Sequence, residues 1–319
     1  MISVVIPAFN SGRFLPQLLD SILAQTEQRW ECVIVDDGSA DDTAEIARQY
    51  GRTDSRFRAL TKPNGGASSA RNYGFRHTSA HFPFVTFMDS DDMWLPDALE
   101  RLREALEGDP NAVGAHGLAD VVDVDGVVTE PGFYADLGRA RIGLEGRRLR
   151  RWPADRPTDF RVLINGNVLF PPGLVLARRA VYEVVGPFDE RFSGGEDWDM
   201  LIRLSRRGHI AFVDDVVLLY RRHDANYGAK PSVPREAWLV RCKGFHSAEN
   251  SMDQRSIARR GWRAYQISLS GDRARAGAAL LSRGHLLSAT RELARLPVYG
   301  WRYARGYPVP RNDSTVLTW

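Results

Sequence analysis

A mostly parallel, doubly wound α/β sheet, with a smaller β element and a helical carboxyl-terminal region, is the fold class this 319-residue sequence predicts. Three observations carry it. Over the first hundred residues, short apolar runs alternate with stretches of helical periodicity, the pattern of strand–helix–strand units. After about residue 106 the runs change character, and Asp125-Gly126 separates two of them as a hairpin turn would. Beyond about Pro234 the chain reads as helical throughout, without a clear repeat.

Ile2 to Ile6 reads as a buried strand stopped by Pro7, and Asn10-Ser11-Gly12 as a polar turn. Phe14, Leu15, Leu18, Leu19, Ile22 and Leu23 recur at helical spacing and predict a first helix to about Gln25. Trp30 to Val35 is the second strand. It ends at Asp36-Asp37-Gly38-Ser39, and Asp41 or Asp42 caps a helix running to about Tyr50. A short third strand falls near Phe57 to Leu60, Gly65-Gly66 open a helix carrying Arg71 and Asn72, and Phe84 to Met88 is the fourth strand. A helix from about Pro96 to Leu106 follows, then β structure over Val113 to Ala119 and Val121 to Thr129. Residues 131–160, rich in Gly, Pro and Arg, predict a long and partly mobile loop. Val168 to Ala177 and a helix around Arg179 to Val185 lead to Gly194-Gly195-Glu196-Asp197-Trp198-Asp199, which opens another helix. Phe212 to Tyr220 supplies one or two last strands before Arg221-Arg222-His223.

Composition narrows the function classes. Hydrophobic residues at 43% and charged residues at 26% describe a globular chain, and a formal net charge of +3 gives no global field for nucleic acid. Cys32 and Cys242 cannot form a disulfide framework, which favours a reducing, cytoplasmic location. The amino terminus lacks a signal-peptide pattern, and no apolar run approaches the roughly 18 residues of a membrane span. Basic residues are unevenly placed, with a nine-residue surplus of Arg over acids between Ser251 and Asn312. Trp262, Tyr265, Tyr299, Trp301, Tyr303 and Tyr307 are interleaved with them.

The chemistry concentrates at strand ends. Phe84 to Met88 delivers Asp89, Asp91 and Asp92, carboxylates that repel one another unless a cation or water lies among them. Open α/β sheets place ligand sites at such strand ends, which suggests a divalent metal and, through it, a nucleotide diphosphate. An acidic strand end with helix capping would explain the same residues structurally. Gly65-Gly66 lets backbone amides approach an anion, yet neither a P-loop nor a dinucleotide fingerprint is present. Glu196, Asp197 and Asp199 sit at a helix start, where acidic residues are also favoured electrostatically.

Several ordered motifs then carry a resemblance over roughly residues 2–228. They are Ser3-Val4-Val5-Ile6-Pro7-Ala8-Phe9-Asn10, Val35-Asp36-Asp37-Gly38-Ser39, Asn64-Gly65-Gly66 with Ala70-Arg71-Asn72-Tyr73-Gly74, Asp89-Ser90-Asp91-Asp92, and Gly195-Glu196-Asp197-Trp198. In order and spacing the chain resembles a family 2 glycosyltransferase of the GT-A fold, an inverting, nucleotide-sugar-dependent enzyme. The resemblance implies a catalytic domain over 1–230, with a nucleotide-binding half over 1–110 and an acceptor-binding half over 111–230. A helical, basic region follows over 231–319. It also implies that Pro7, Ala8 and Phe9 pack on the base and ribose, that Asp37 accepts a hydrogen bond from a pyrimidine, and that Gly66, Arg71, Asp89 and Ser90 meet the donor. Asp91, with His223, is expected to hold Mn²⁺ or Mg²⁺, and Asp197 to be the catalytic base. Asp92 is either a second metal contact or a helix cap, and Glu196 an acidic neighbour of the base. Trp198 either stacks on a sugar or lies in the core. Arg221 or Arg222 is placed to meet the diphosphate.

The implied function is transfer of a single sugar from a nucleotide donor, taken as a UDP-sugar, to a hydroxyl of a glycan or lipid-linked glycan, as in polysaccharide and cell-envelope biosynthesis. No Gln-x-x-Arg-Trp motif of processive synthases is present. A sugar nucleotidyltransferase is the alternative enzyme, and a non-catalytic nucleotide-sugar-binding protein the alternative class. The Arg139–Arg151 stretch is either a solvated connection, a lid, or a recognition element for an anionic acceptor. The basic, aromatic carboxyl-terminal region either lies peripherally on the inner face of a membrane or forms a packing or oligomer surface.

Overall fold

The structure is a computed structural model that describes residues 1–131, 141–224, 226, 233–283, 285–298 and 304. Tyr299, Trp301, Tyr303, Tyr307 and the Arg139 end of the Arg-rich stretch lie outside the described residues. Strands β1 (Ile2–Ala8), β2 (Trp30–Asp36), β3 (Phe57–Thr61) and β4 (Phe84–Phe87) pair in parallel in the order β3-β2-β1-β4. β1 and β4 are buried along their whole length, as expected of central parallel strands covered by helices on both faces. Those helices are α1 (Leu15–Leu23), α2 (Thr43–Thr53), α3 (Ala67–Phe75) and α4 (Ala98–Gly108).

Pro7 does not stop the first strand. It lacks an N–H, but β1 continues through Pro7 to Ala8 in register with Val35 and Asp36. Both side chains are therefore covered, and of the Pro7-Ala8-Phe9 turn only Phe9, 51% exposed, presents a ring to solvent. Immediately after the acidic cluster the chain forms a short β5 (Met93–Trp94), and α4 begins at Ala98 behind Asp97.

The sheet does not end where the parallel pattern does. β6 (Ala112–Val122), β10 (Val175–Arg178) and β11 (His209–Arg221) extend it in the order β4-β10-β6-β11-β5. β10 runs antiparallel to both neighbours, and β11 is parallel to β6. β7 (Val128–Glu130) pairs with β6 across the Asp125-Gly126 turn. Within 131–160, expected as one loop, residues 142–163 hold an antiparallel hairpin and a short helix. These are β8 (Ile142–Glu145) with β9 (Arg148–Arg151), and α5 (Phe160–Leu163), which is capped by the Asp159 carboxylate. Alternation there is masked by Arg, but Leu144 and Trp152 are buried and anchor the hairpin.

α6 (Arg179–Val185) and α7 (Glu196–Ser205) lie between β10 and β11 in the chain. α8 (Val233–His246), α9 (Met252–Ser282) and α10 (Leu286–Leu293) form the carboxyl-terminal region, and a reciprocal Ser251–Gln254 capping box starts α9. Val240, Cys242 and Ala258 from these helices are buried, so the region is docked rather than appended. Lys243 of α8 bonds both Asp189 and Asp199 at 2.8 Å. Among the described residues no helix is long and apolar enough to cross a membrane.

Candidate active site

Four strand ends and one helix start converge. At the end of β2, Asp36 turns the chain by accepting the Ser39 amide, while Asp37 points its carboxylate across to the loop before α3. The amides of Gly65 and Gly66 donate to it at 3.1 and 2.7 Å, and Lys62 Nζ at 2.5 Å. The anion that this glycine pair approaches is thus a protein carboxylate. Gly66 sits at φ +85°, ψ 168°, a region essentially reserved for glycine, which explains why this residue aims its amide there.

At the end of β4 the three aspartates take three environments. Asp89 accepts from Arg71 at 2.6 Å, and Ser90 Oγ lies 2.7 Å from Ser11 Oγ. Asp91 Oδ2 lies 2.9 Å from His223 Nε2, with Asn226 Nδ2 at 3.4 Å, and Phe14 stacks on the His223 ring. Asp92 is buried and accepts the Arg221 amide, while its Oδ2 has no hydrogen-bond partner among the described residues. It does not cap α4, whose N-cap position is held by Asp97, since β5 intervenes. Burial pushes the Asp89 carboxyl up against the pull of Arg71, with Asp91 and Glu196 adding to the rise.

Arg71 is buried in the middle of the site and donates to Asp89 and to Glu196, each at 2.6 Å. Burial alone would lower its pKa, but the two carboxylates outweigh it and hold the guanidinium above its ordinary value. It thereby ties Asp89 and Glu196 together. Arg222 pairs with Glu130 at 2.5 Å on the exposed side. Arg221 is fully buried and donates to the carbonyls of Asp91, Asp123 and Val124, so it orders the chain that carries Asp91.

At the start of α7, Asp197 accepts the Trp198 amide at 2.6 Å and the Asn167 side chain at 3.2 Å. It borders a small apolar cavity shared with Phe87, Tyr182, Phe188 and Met200. Burial, and then the neighbouring Glu196 charge, push its carboxyl up to about 7. Trp198 takes the core position of its two alternatives: it is buried, and its indole N–H donates to the Leu163 carbonyl at 2.6 Å. Sequence reasoning missed Lys62, Asn167, Asn226 and Lys243. None has a local signature, because each acts across 25 to 135 residues of sequence.

The Asp91–His223 pair suits a hard divalent cation that takes one carboxylate and one imidazole from protein and the rest of its shell from phosphate and water. Among the described residues no group of three or more such ligands is assembled.

The parallel sheet extended by an antiparallel strand is of the GT-A type, and at its acidic strand end a buried arginine joins two carboxylates. A sequence profile of glycosyl transferase family 2 matches residues 3–186, more than half of the chain, and the protein belongs to that family. The chain is 28% identical over 231 residues to the glycosyltransferase GlyG of Streptococcus pneumoniae, covering 71% of this chain and 72% of GlyG. Among solved structures, S. aureus TarS 1–349 in complex with UDP-GlcNAc superposes with a TM-score of 0.62 at 16% identity, over 96% of this chain and 89% of that one. The mannosyltransferase PcManGT from Pyrobaculum calidifontis, in complex with GDP-Man and Mn²⁺, gives 0.53 at 18% identity, over 95% and 86%. At these identities the structural likeness establishes the fold. This chain spans 53% of the longer TarS chain.

Proposed function

We propose that the protein is a metal-dependent, inverting glycosyltransferase that moves one sugar from a UDP-sugar to a hydroxyl of a glycan or lipid-linked glycan. The observation that carries this reading is the rigid link Asp89–Arg71–Glu196, which sets the acidic strand end and the Asp197 carboxylate in one frame. In-line displacement needs a leaving-group site and a base on the opposite face of the sugar. A base is most effective when its pKa lies near the working pH, and Asp197 at about 7 meets that condition. Asn167 hydrogen-bonds the carboxylate, and an apolar cavity borders it.

On the donor side, Asp37 is assigned to the pyrimidine, the exposed Phe9 ring to the base, Asp89 and Ser90 to the ribose, and Asp91 with His223 to Mn²⁺ or Mg²⁺. A cation bound there supplies charge neutralisation for the departing diphosphate. Residues 1–110 form the donor half and 111–230 the acceptor half in this reading. The UDP-GlcNAc and GDP-Man complexes of the structural neighbours support a nucleotide-sugar donor, and the Mn²⁺ of the second supports a divalent ion. Two buried free cysteines favour the cytoplasm, and Leu286 and Leu287, exposed beside Arg291, favour a peripheral contact with the inner membrane face.

Binding of UDP-, GDP- and dTDP-sugars with Mn²⁺ and with EDTA tests this. UDP-sugars are expected to bind best and only with the metal, and Asp91→Ala to weaken that binding at least about tenfold. If no nucleotide binds under any condition, the function is wrong; if EDTA and Asp91→Ala leave UDP-sugar binding intact, the metal assignment is wrong.

A further inference from the structure

The β8–β9 hairpin, α5 and α9 enclose an open cavity of about 270 Å³ that the transfer chemistry leaves unused. Glu145, Trp152, Arg156, Arg161 and Arg260 dominate its lining. Three guanidinium groups thus share the cavity with a single lining carboxylate. Glu145 lies 3.6 Å from Arg156, Arg161 is paired from outside by Asp159 at 2.5 Å, and Arg260 reaches the Gly146 carbonyl at 3.4 Å.

The floor is preorganised. Trp152 is 2% exposed, donates its indole N–H to the Pro157 carbonyl at 3.0 Å, and carries the Arg161 guanidinium 4.6 Å from its ring centroid. A Cβ on Gly143 would fall 2.3 Å from the Trp152 ring, so the hairpin admits the indole only because that position is bare. A Cβ on Gly261 would lie 2.5 Å from Asn165 Oδ1, and this close approach brings the neighbouring Arg260 to the cavity. Arg148 and Arg150 of β9, and Arg259 of α9, are exposed on the same elements. Like charges gathered by packed elements repel, and an anion between them relieves that cost while matching the planar donor forks of arginine.

We propose that this cavity binds an anionic group, a phosphate or carboxylate, carried by the acceptor glycan. The chain itself connects it to the base: two residues after Arg161 the Leu163 carbonyl receives the Trp198 indole, and Asn167 holds the Asp197 carboxylate. An acceptor gripped there lies against the same segment that orients the base. The inference rests on the proposed transfer reaction only in calling the ligand an acceptor.

The test uses the full chain, with glucose 6-phosphate, inorganic phosphate, glucose and UDP as probes. Both phosphate probes are expected to bind more weakly as salt rises, while glucose does not bind. Arg156→Gln combined with Arg260→Gln should weaken phosphate binding at least about tenfold, the loss of about one charge-assisted contact, and leave UDP binding unchanged. Glu145→Gln should tighten phosphate binding about twofold or more. Phosphate binding that is absent, or indifferent to these variants, overturns the proposal. So does a wild type that binds phosphatidylcholine vesicles containing phosphatidylglycerol through these arginines but neither phosphate probe, since the ligand is then a lipid surface. Failure of UDP to bind the wild type would instead count against the transfer reading.

Discussion

Asp197→Asn separates the catalytic worth of this carboxylate from its cost to the fold. The native pKa of about 7 against an ordinary 3.8 is a rise of about three units, with burial as the first cause and Glu196 as the second. Between those values the folded chain holds a proton that the unfolded chain has released, so stability falls as pH rises through this window. At about 1.4 kcal/mol per unit the upper bound is roughly 4 kcal/mol, fully expressed above pH 7 and absent below pH 3.8. Asp197 keeps some contact with solvent, which screens the charge, so about 1–2 kcal/mol is the working expectation. Asparagine keeps the shape and carries no charge. The variant should therefore be more stable than wild type at pH 8, converge with it near pH 4, retain donor binding and lose transfer. Wild-type transfer should rise about tenfold from pH 6 to pH 8 as the carboxylate ionises. Urea denaturation at several pH values, beside a transfer assay, measures both. A variant less stable than wild type at pH 8, or a pH-independent difference, refutes the burial argument; undiminished transfer refutes the base.

Gly66→Ala tests the glycine that aims its amide at Asp37. Nothing lies within 4 Å of the added Cβ, so the expected loss of about 1–3 kcal/mol comes from backbone conformation alone, and an unchanged urea midpoint would show that the turn relaxes. Trp198→Phe removes the bond to Leu163 and should cost about 1–3 kcal/mol while sparing UDP-sugar affinity. A selective loss of donor or acceptor binding at unchanged stability would return Trp198 to the sugar site.

The parallel half of the sheet was legible in the sequence because central strands are apolar runs and each ends in a marked turn. The same logic marked the Asp89–Asp92 cluster at the end of β4, whereas Asp197, at a helix start, was singled out only through the motif resemblance. That logic mistook Pro7 for a stop because a missing N–H argues against a strand only where a ladder bond is lost, and β1 accommodates Pro7 in register. The β8–β9 hairpin was hidden by arginines on its exposed face. Arg71 was the most instructive case: the motif resemblance marked it as a site residue, while its carboxylate partners became visible only in the fold, Glu196 lying 125 residues away.

The Lys243 contact makes the division suggested by composition a cut through a shared ion cluster. A chain truncated near residue 230 would leave Asp189 and Asp199 without the ammonium they share, with Asp199 two residues beyond the Asp197 carboxylate. The carboxyl-terminal helices are therefore a tether on α7. Sequence drift in this distal region is free to change what the protein docks against only so long as α8 keeps its grip on that helix.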